Sequence, residues 1–141
     1  MGRDESTARG AGPKVAGLER AGSGEVAGAR MAEAVATDDL IFFSGITAQD
    51  TSLSAAEQTS WCLRKLDGLL ERFGEDQGSV LMIHVWLADM RYFGAMNKAW
   101  NHWIDTANPP ARTCVSGALH RPDVLVEVVA IAARRAGEGE S

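Results

Sequence analysis

The fold is decided by residues 108–135, which read NPPARTCVSGALHRPDVLVEVVAIAARR. The paired prolines force an extended path, and the β-branched and small residues that follow are typical of strands. This pattern predicts one strand over 111–119 and another over 124–133, joined by the turn HRPD. The C-terminal part of the domain therefore consists of two consecutive strands.

Two charged residues stand inside these apolar strands. Side chains alternate along a strand, so Arg112, Cys114 and Ser116 share one face of the first strand. In the second strand both alternating rows are apolar except at Glu127. A carboxylate in such surroundings needs a partner or a function. Either Arg112 and Glu127 pair with each other, or Arg112 presents its planar fork to a ligand carboxylate and Glu127 handles a water.

The middle of the chain predicts a long amphipathic helix over 55–73. Ser54 and Glu57 have the spacing of a capping box, and Gly74 can end the helix. The residues with helical spacing that form its apolar stripe are Cys62, Leu66, Leu69, Leu70 and Phe73. A second helix is predicted over 92–104, with Phe93, Met96 and Trp100 on one stripe.

Further strands precede and separate these helices. Residues 80–87, VLMIHVWL, are typical of a central strand covered on both faces. Residues 32–37 and 40–44 predict a hairpin, and residues 18–21 a short first strand. The glycine-rich stretch GSGEVAG at 22–28 is interpreted as a flexible turn.

The resulting order, β-β-β-α-β-α-β-β, predicts an α+β fold with two helices on one face of a sheet. Two helices cannot cover two apolar sheet faces, so we expect the chain to associate with copies of itself. We place one globular domain at 15–135, between a disordered Gly/Ala-rich tail at 1–14 and a flexible C-terminal tail at 136–141.

Composition excludes several classes of function. The net charge of −5 argues against a nucleic-acid partner. No apolar run approaches the length of a membrane span, and no secretory signal is visible, so we expect a cytoplasmic protein without a membrane partner. The two cysteines, Cys62 and Cys114, lack metal-ligand spacing and are interpreted as free thiols, with no metal.

With the segments LIFFSG at 40–45 and VWLADM at 85–90, the stretch 108–135 resembles the RidA family, also called YjgF, of enamine/imine deaminases. The resemblance covers about residues 15–135. It implies a chorismate-mutase-like fold and a homotrimer with clefts between subunits. It also implies cofactor-independent hydrolysis of 2-aminoacrylate-type enamines and imines to a 2-oxo acid and ammonia.

The resemblance also implies roles for individual residues. Arg112 matches the arginine that grips the substrate carboxylate, and Glu127 matches the glutamate associated with the attacking water. Cys114 matches a cleft cysteine whose backbone matters more than its thiol. The other residues that match cleft positions are Ser44, Gly45, Phe93 and Asn97.

The chain departs from the family pattern at one position. Met31 stands where many members have a tyrosine, which removes a hydroxyl near the substrate and leaves the substrate itself open. Two other functions therefore remain: a non-catalytic protein that binds a small 2-oxo or amino acid, and a pathway-specific relative acting on an aminoacrylate-like compound.

Overall fold

The computed structural model describes residues 15–135, so both predicted tails, 1–14 and 136–141, lie outside the described residues. Within 15–135 the chain forms nine strands and two α-helices, and two 3₁₀ turns precede β7 and α2. The elements are β1 (Glu19–Ala21), β2 (Gly24–Val26), β3 (Ala29–Met31), β4 (Ala34–Ala36), β5 (Leu40–Phe43), β6 (Ile46–Thr47), α1 (Ala55–Arg72), β7 (Val80–Leu87), α2 (Phe93–Trp103), β8 (Ala111–Ser116) and β9 (Val126–Ala133).

Seven strands form one mixed sheet. The order across it is β1-β4-β5-β9-β7-β8, and β6 pairs with β9 beyond the end of β5. The pairings are antiparallel except for β7 with β8, which run parallel because α2 returns the chain between them. Residue by residue, β8 is aligned so that Arg112 lies beside Ile83.

Both helices cover the same face of the sheet, which confirms the predicted α+β class. Alternate residues of β7 and β9 are buried, and they pack against the apolar stripe of α1 and against Met96 and Trp100 of α2. The inward residues of the two strands are Ile83, Val85, Leu87, Val126, Val128, Ala130 and Ala132. This packing leaves the outward residues of the same strands on a second face.

The ends of α1 follow the predicted local chemistry. Ser54 Oγ accepts a hydrogen bond from the Glu57 amide, and the Ser54 amide donates to Glu57 Oε1 at 3.0 Å, which completes the capping box. After the helix, Gly74 adopts a φ of +72°, a left-handed conformation that glycine tolerates without steric cost.

The interpretation of residues 22–28 as a flexible turn is wrong. Strands β2 and β3 pair antiparallel as a separate two-stranded hairpin outside the main sheet. Ala27 and Gly28 form its turn with φ values of +50° and +83°, the positive values that a two-residue hairpin loop needs. This stretch contains too few apolar residues, and no alternating run of them, so its sequence does not predict strands.

The second sheet face, which we call the open face, is not covered within one chain. Four large apolar side chains on it are about two-fifths or more exposed: Phe42, Leu81, Trp86 and Val115. The prediction that β7 is covered on both sides is therefore wrong for a single chain. At the centre of this face His84 Nδ1 lies 2.8 Å from Thr113 Oγ1. In the part of the chain that the structure describes, no helix is long and apolar enough to cross a membrane.

Candidate functional site

Strand β8 brings Arg112 and Cys114 to the helix-covered face of the sheet. These residues pair with Ile83 and Val85 of β7, whose side chains are buried beneath the helices. Because directly paired residues share a face, Arg112 and Cys114 point toward α2. The predicted alternation along this strand is therefore confirmed, and we call this group, with Phe93 and Asn97 of α2, the arginine side.

Arg112 is half-buried against aromatic rings and a thioether. Its Cζ lies 4.9 Å from the ring centroid of Trp100 and 5.8 Å from that of Phe93. Its Nη1 lies 3.5 Å from the Met96 sulfur, a weak acceptor. Within residues 15–135 no acidic side chain forms an ion pair with Arg112, so most of its N–H donors are available to a ligand in front of it.

Two further predicted residues, Asn97 and Cys114, are assigned to the arginine side by their positions on α2 and β8. Asn97 is half-buried on α2, one helical turn beyond Phe93. Burial raises the pKa of the Cys114 thiol, and the nearby Arg112 charge offsets this only in part. Cys114 is therefore a neutral thiol at neutral pH. Strand β8 lies at the edge of the sheet, so part of the Cys114 backbone hydrogen-bonding capacity is left for a ligand.

Glu127 lies on the open face, beside a sharp change in the path of the chain. It pairs with Trp86 of β7 and with Thr47 of β6. Between β5 and β6 the chain bends at Ser44 and Gly45, and a Cβ on Gly45 would overlap the Glu127 carboxylate. Only a glycine leaves the carboxylate this close to the backbone. We call Ser44, Gly45 and Glu127 the glutamate side.

Ser44 is tied to the preceding strands. Its Oγ donates to the carbonyl of Ala32 at 2.6 Å, and its amide donates to the carbonyl of Glu33 at 3.0 Å. These bonds hold the Ser44-Gly45 bend beside a cleft of about 340 Å³. Met31 lines the same cleft, which places the departure from the family pattern next to the glutamate side.

Arg112 and Glu127 lie on opposite faces of the sheet. Arg112 is aligned with the fully buried Ile83, whereas Glu127 is aligned with the exposed Trp86, three positions along the same strand. An odd separation along a strand places side chains on opposite faces. The interpretation in which these two residues form an ion pair is therefore wrong within one chain, and the structure separates the predicted site residues into two groups.

Sequence reasoning missed the role of two residues beside the site. Met96 and Trp100 were assigned to packing because their spacing on α2 is that of a core stripe. The structure confirms that both are buried, and it also places both against the Arg112 side chain. The helical spacing of Phe93, Met96 and Trp100 places all three on one face of α2. The sequence does not show that this face meets the side of β8 that carries Arg112.

A metal site is not evident in the described part of the chain, where no cluster of three or more His, Cys, Asp or Glu side chains has the geometry to bind an ion. Among the residues predicted from the sequence, the polar groups that could bind an organic ligand are those of the arginine and glutamate sides.

Comparison with known proteins shows the family of this chain. A family model described as endoribonuclease L-PSP matches residues 25–134. A RutC family protein of Haemophilus influenzae is 35% identical over 105 residues, covering 74% of this chain and 90% of that protein. The chain belongs to the RidA (YjgF) family.

Solved structures and named relatives of this RidA-family chain extend the comparison. A member of the YjgF protein family from Neisseria meningitidis has a TM-score of 0.77 and 33% sequence identity, covering 85% of this chain and 97% of that one. The 3-aminoacrylate deaminase RutC of Acinetobacter baylyi is 29% identical over 105 residues, covering 70% of this chain and 82% of that protein. Because the names of the relatives include both endoribonuclease and deaminase, family membership defines the fold of this chain and not its reaction.

Proposed function

We propose that this chain is a hydrolytic deaminase of small carboxylate-bearing enamines and imines, of the 2-aminoacrylate and 2-iminopropionate type. The products are a 2-oxo acid and ammonia. The name of the Acinetobacter relative, an aminoacrylate deaminase, supports this reaction class. The reaction needs few protein groups, because an imine carbon is already electrophilic.

The observation that carries the proposal is the surroundings of Arg112. Its guanidinium is half-buried against Trp100 and Phe93, with no acidic partner among residues 15–135. A buried arginine that only stabilised the fold would be paired with a carboxylate of the chain. An arginine held on aromatic rings keeps its fork for a carboxylate that arrives from outside, bound by two parallel hydrogen bonds.

Glu127 supplies the second half of the chemistry. A carboxylate packed against the Gly45 backbone is held in one place and can accept a hydrogen bond from a water. The imine nitrogen takes up a proton from solvent, and the water oxygen attacks the resulting iminium carbon as Glu127 takes one proton of the water. Glu127 returns this proton to the amine nitrogen of the tetrahedral intermediate. The C–N bond then breaks, ammonia leaves, and the hydroxyl group gives its proton to Glu127 as it becomes the carbonyl of the 2-oxo acid.

Cys114 has no nucleophilic role in this scheme. Burial raises the pKa of its thiol, so the reactive thiolate is scarce at neutral pH. Its contribution is the backbone of an edge strand next to Arg112, which can hydrogen-bond the bound acid.

The opposite orientation of the two groups supports a site shared between copies of the chain. One chain cannot apply Arg112 and Glu127 to the same small molecule, because the sheet lies between them. The exposed apolar side chains of the open face need a cover. A homotrimer in which the arginine side of one copy meets the glutamate side of the next would provide both.

A trapping assay tests the function. An amino-acid oxidase acting on alanine produces 2-iminopropionate in the presence of semicarbazide and catalase, and the semicarbazone is followed by its absorbance. We expect the wild-type protein to lower the rate of semicarbazone formation, since hydrolysis removes the imine. Arg112→Ala abolishes this effect, and the control Arg64→Ala, an exposed arginine on α1, keeps it.

Two results would contradict the proposal. Wild-type protein that leaves the semicarbazone rate unchanged is not a deaminase for this substrate, and binding of pyruvate without turnover would then identify a binding protein. Equal activity in wild type and Arg112→Ala would remove Arg112 from the reaction.

A further inference from the structure

Two aromatic rings meet the Arg112 guanidinium, and the buried one is that of Trp100. Trp100 is 8% exposed, whereas Phe93, the other ring beside the guanidinium, is 40% exposed. The shorter of the two distances is also to Trp100, 4.9 Å against 5.8 Å. The buried ring therefore forms the back of the arginine site, and Phe93 forms its rim.

We infer that Trp100 is the positioning residue for the carboxylate-binding arginine: its ring face holds the Arg112 guanidinium so that the N–H edge points at the substrate acid. This inference rests on the proposed function and deepens it. Trp100 acts through Arg112, while the acid itself contacts the guanidinium.

The chemistry of the two groups favours this assignment over simple packing. A guanidinium can stack its flat face on an aromatic ring while all of its N–H groups, which lie in the guanidinium plane, remain free. A carboxylate behind Arg112 would occupy those N–H groups and neutralise the charge that the substrate needs. An aliphatic side chain would fill the space without attracting the cation. The indole ring orients the guanidinium and leaves its charge available.

Trp100 is itself fixed from behind. Its ring meets that of Trp103 edge-on, with centroids 5.8 Å apart and an interplanar angle of 61°. Trp103 Nε1 donates to Asp67 Oδ2 of α1 at 2.9 Å. The position of the guanidinium is thus tied to both helices.

Arginine has many rotamers, so a preformed orientation lowers the entropy lost when a ligand binds. Loss of Trp100 should therefore weaken binding of the acid, while the steps at the imine carbon, which depend on the glutamate side, should proceed at the same rate once the substrate is bound. The signature of a positioning residue here is a raised KM and Kd with kcat unchanged.

The test compares Trp100→Leu, Trp100→Phe and the control Ile41→Ala, which removes a fully buried side chain on β5, a strand separated from β8 by two others. Measurements are the Kd for pyruvate by calorimetry, KM and kcat in the trapping assay, and the melting temperature. We expect Trp100→Leu to raise Kd and KM about tenfold with kcat within about twofold of wild type. Trp100→Phe should give intermediate values of Kd and KM. Ile41→Ala should leave Kd unchanged even where its melting temperature falls as far as that of Trp100→Leu.

A second measurement does not depend on substrate or on a large deletion in the core. In protein carrying ¹⁵N-arginine, the Nε–H signal of Arg112, assigned by its loss in Arg112→Lys, should be displaced by the indole ring current and motionally restricted. In Trp100→Phe both properties should weaken. An Arg112 signal at the position of a free arginine in wild type overturns the inference. So does an equal rise in Kd for Ile41→Ala and Trp100→Leu at equal loss of stability.

Failure of the proposed function gives a different pattern. Wild-type protein without turnover, but with an ordered and ring-shifted Arg112 that loses both properties in Trp100→Phe, contradicts the deaminase and retains the positioning role. Turnover by a wild-type protein in which Arg112 is mobile supports the deaminase and contradicts the positioning role of Trp100.

Discussion

The carboxylate of Glu127 lies against the backbone of Gly45, in the space that a Cβ on residue 45 would occupy. The φ of Gly45 is not in the left-handed region, so glycine is required here for space and not for backbone conformation. The contact between Gly45, in the bend before β6, and Glu127 of β9 thereby sets the position of the carboxylate that we propose binds the water.

Replacing Gly45 by alanine should displace the Glu127 carboxylate. We expect Gly45→Ala to lower kcat at least tenfold in the trapping assay while the protein stays folded, because Glu127 is half-buried and its side chain can move toward solvent. Gly68→Ala on α1 is the control, since a Cβ there meets no atom within 4 Å. It should keep full activity and gain roughly 0.5–1 kcal/mol of stability. Full activity in Gly45→Ala would show that the carboxylate position is unimportant.

Association of the chain should depend on the open face of the sheet. Trp86→Lys places a charge among its exposed apolar side chains and should convert the proposed trimer to a monomer, measured by light scattering at micromolar concentration. Met90→Lys is the matched control, because Met90 is similarly exposed but lies in the turn before α2. A wild-type protein that is already monomeric at this concentration would contradict the proposed assembly.

Stability at alkaline pH should depend on Cys62. Its thiol is fully buried and donates to the carbonyl of Ile46, and burial raises its pKa from about 9 to about 12. Because folding raises the pKa of this thiol, the protonated thiol contributes its full stabilisation below the pKa of the unfolded state. This stabilisation is lost as the pH rises from the unfolded pKa toward the folded pKa. The stability difference between wild type and Cys62→Ala should therefore shrink by roughly 1 kcal/mol between pH 8 and pH 10. A difference that is constant over this range in urea unfolding would refute the shift.

Gln58 should contribute more to stability than its polarity suggests. It is fully buried at the start of α1, where its Nε2 donates to the carbonyls of Leu53 and Asp123 and its Oε1 accepts from the Leu125 amide. Gln58→Leu leaves these backbone groups without partners and should cost about 2–4 kcal/mol in urea unfolding. Gln77→Leu, which also breaks two hydrogen bonds but at a half-buried site, should cost less because water replaces the lost partners. An equal loss of unfolding free energy in Gln58→Leu and Gln77→Leu would show that burial does not determine the cost.

The elements that the sequence predicted well are those with a long period or a local signal. Helix α1 combines an apolar stripe with a capping box, and β7 is an uninterrupted apolar run, so their bounds differ little from the prediction. The hairpin of β2 and β3 was missed because it buries little, and its strands are held mainly by pairing and turn geometry.

The sequence predicted which residues belong to the candidate site, but it did not predict their arrangement on the two faces of the sheet. Alternation along β8 and β9 showed that Arg112 and Glu127 each share a row with apolar neighbours, yet which row faces the helices depends on register with β7. Register is a property of pairing between distant segments. For the same reason the contact of Trp100 with Arg112 could not be found from the helix alone.

The separation of Arg112 and Glu127 by the thickness of the sheet has a genetic consequence. If each site takes its arginine from one copy and its glutamate from the next, an inactive Arg112→Ala protein and an inactive Glu127→Gln protein carry complementary lesions. Unfolding and refolding them together in equal amounts should restore about one quarter of the sites, since random assembly brings an intact arginine and an intact glutamate together with that frequency. Two inactive alleles of this chain, expressed in one cell, would then complement each other and give active enzyme.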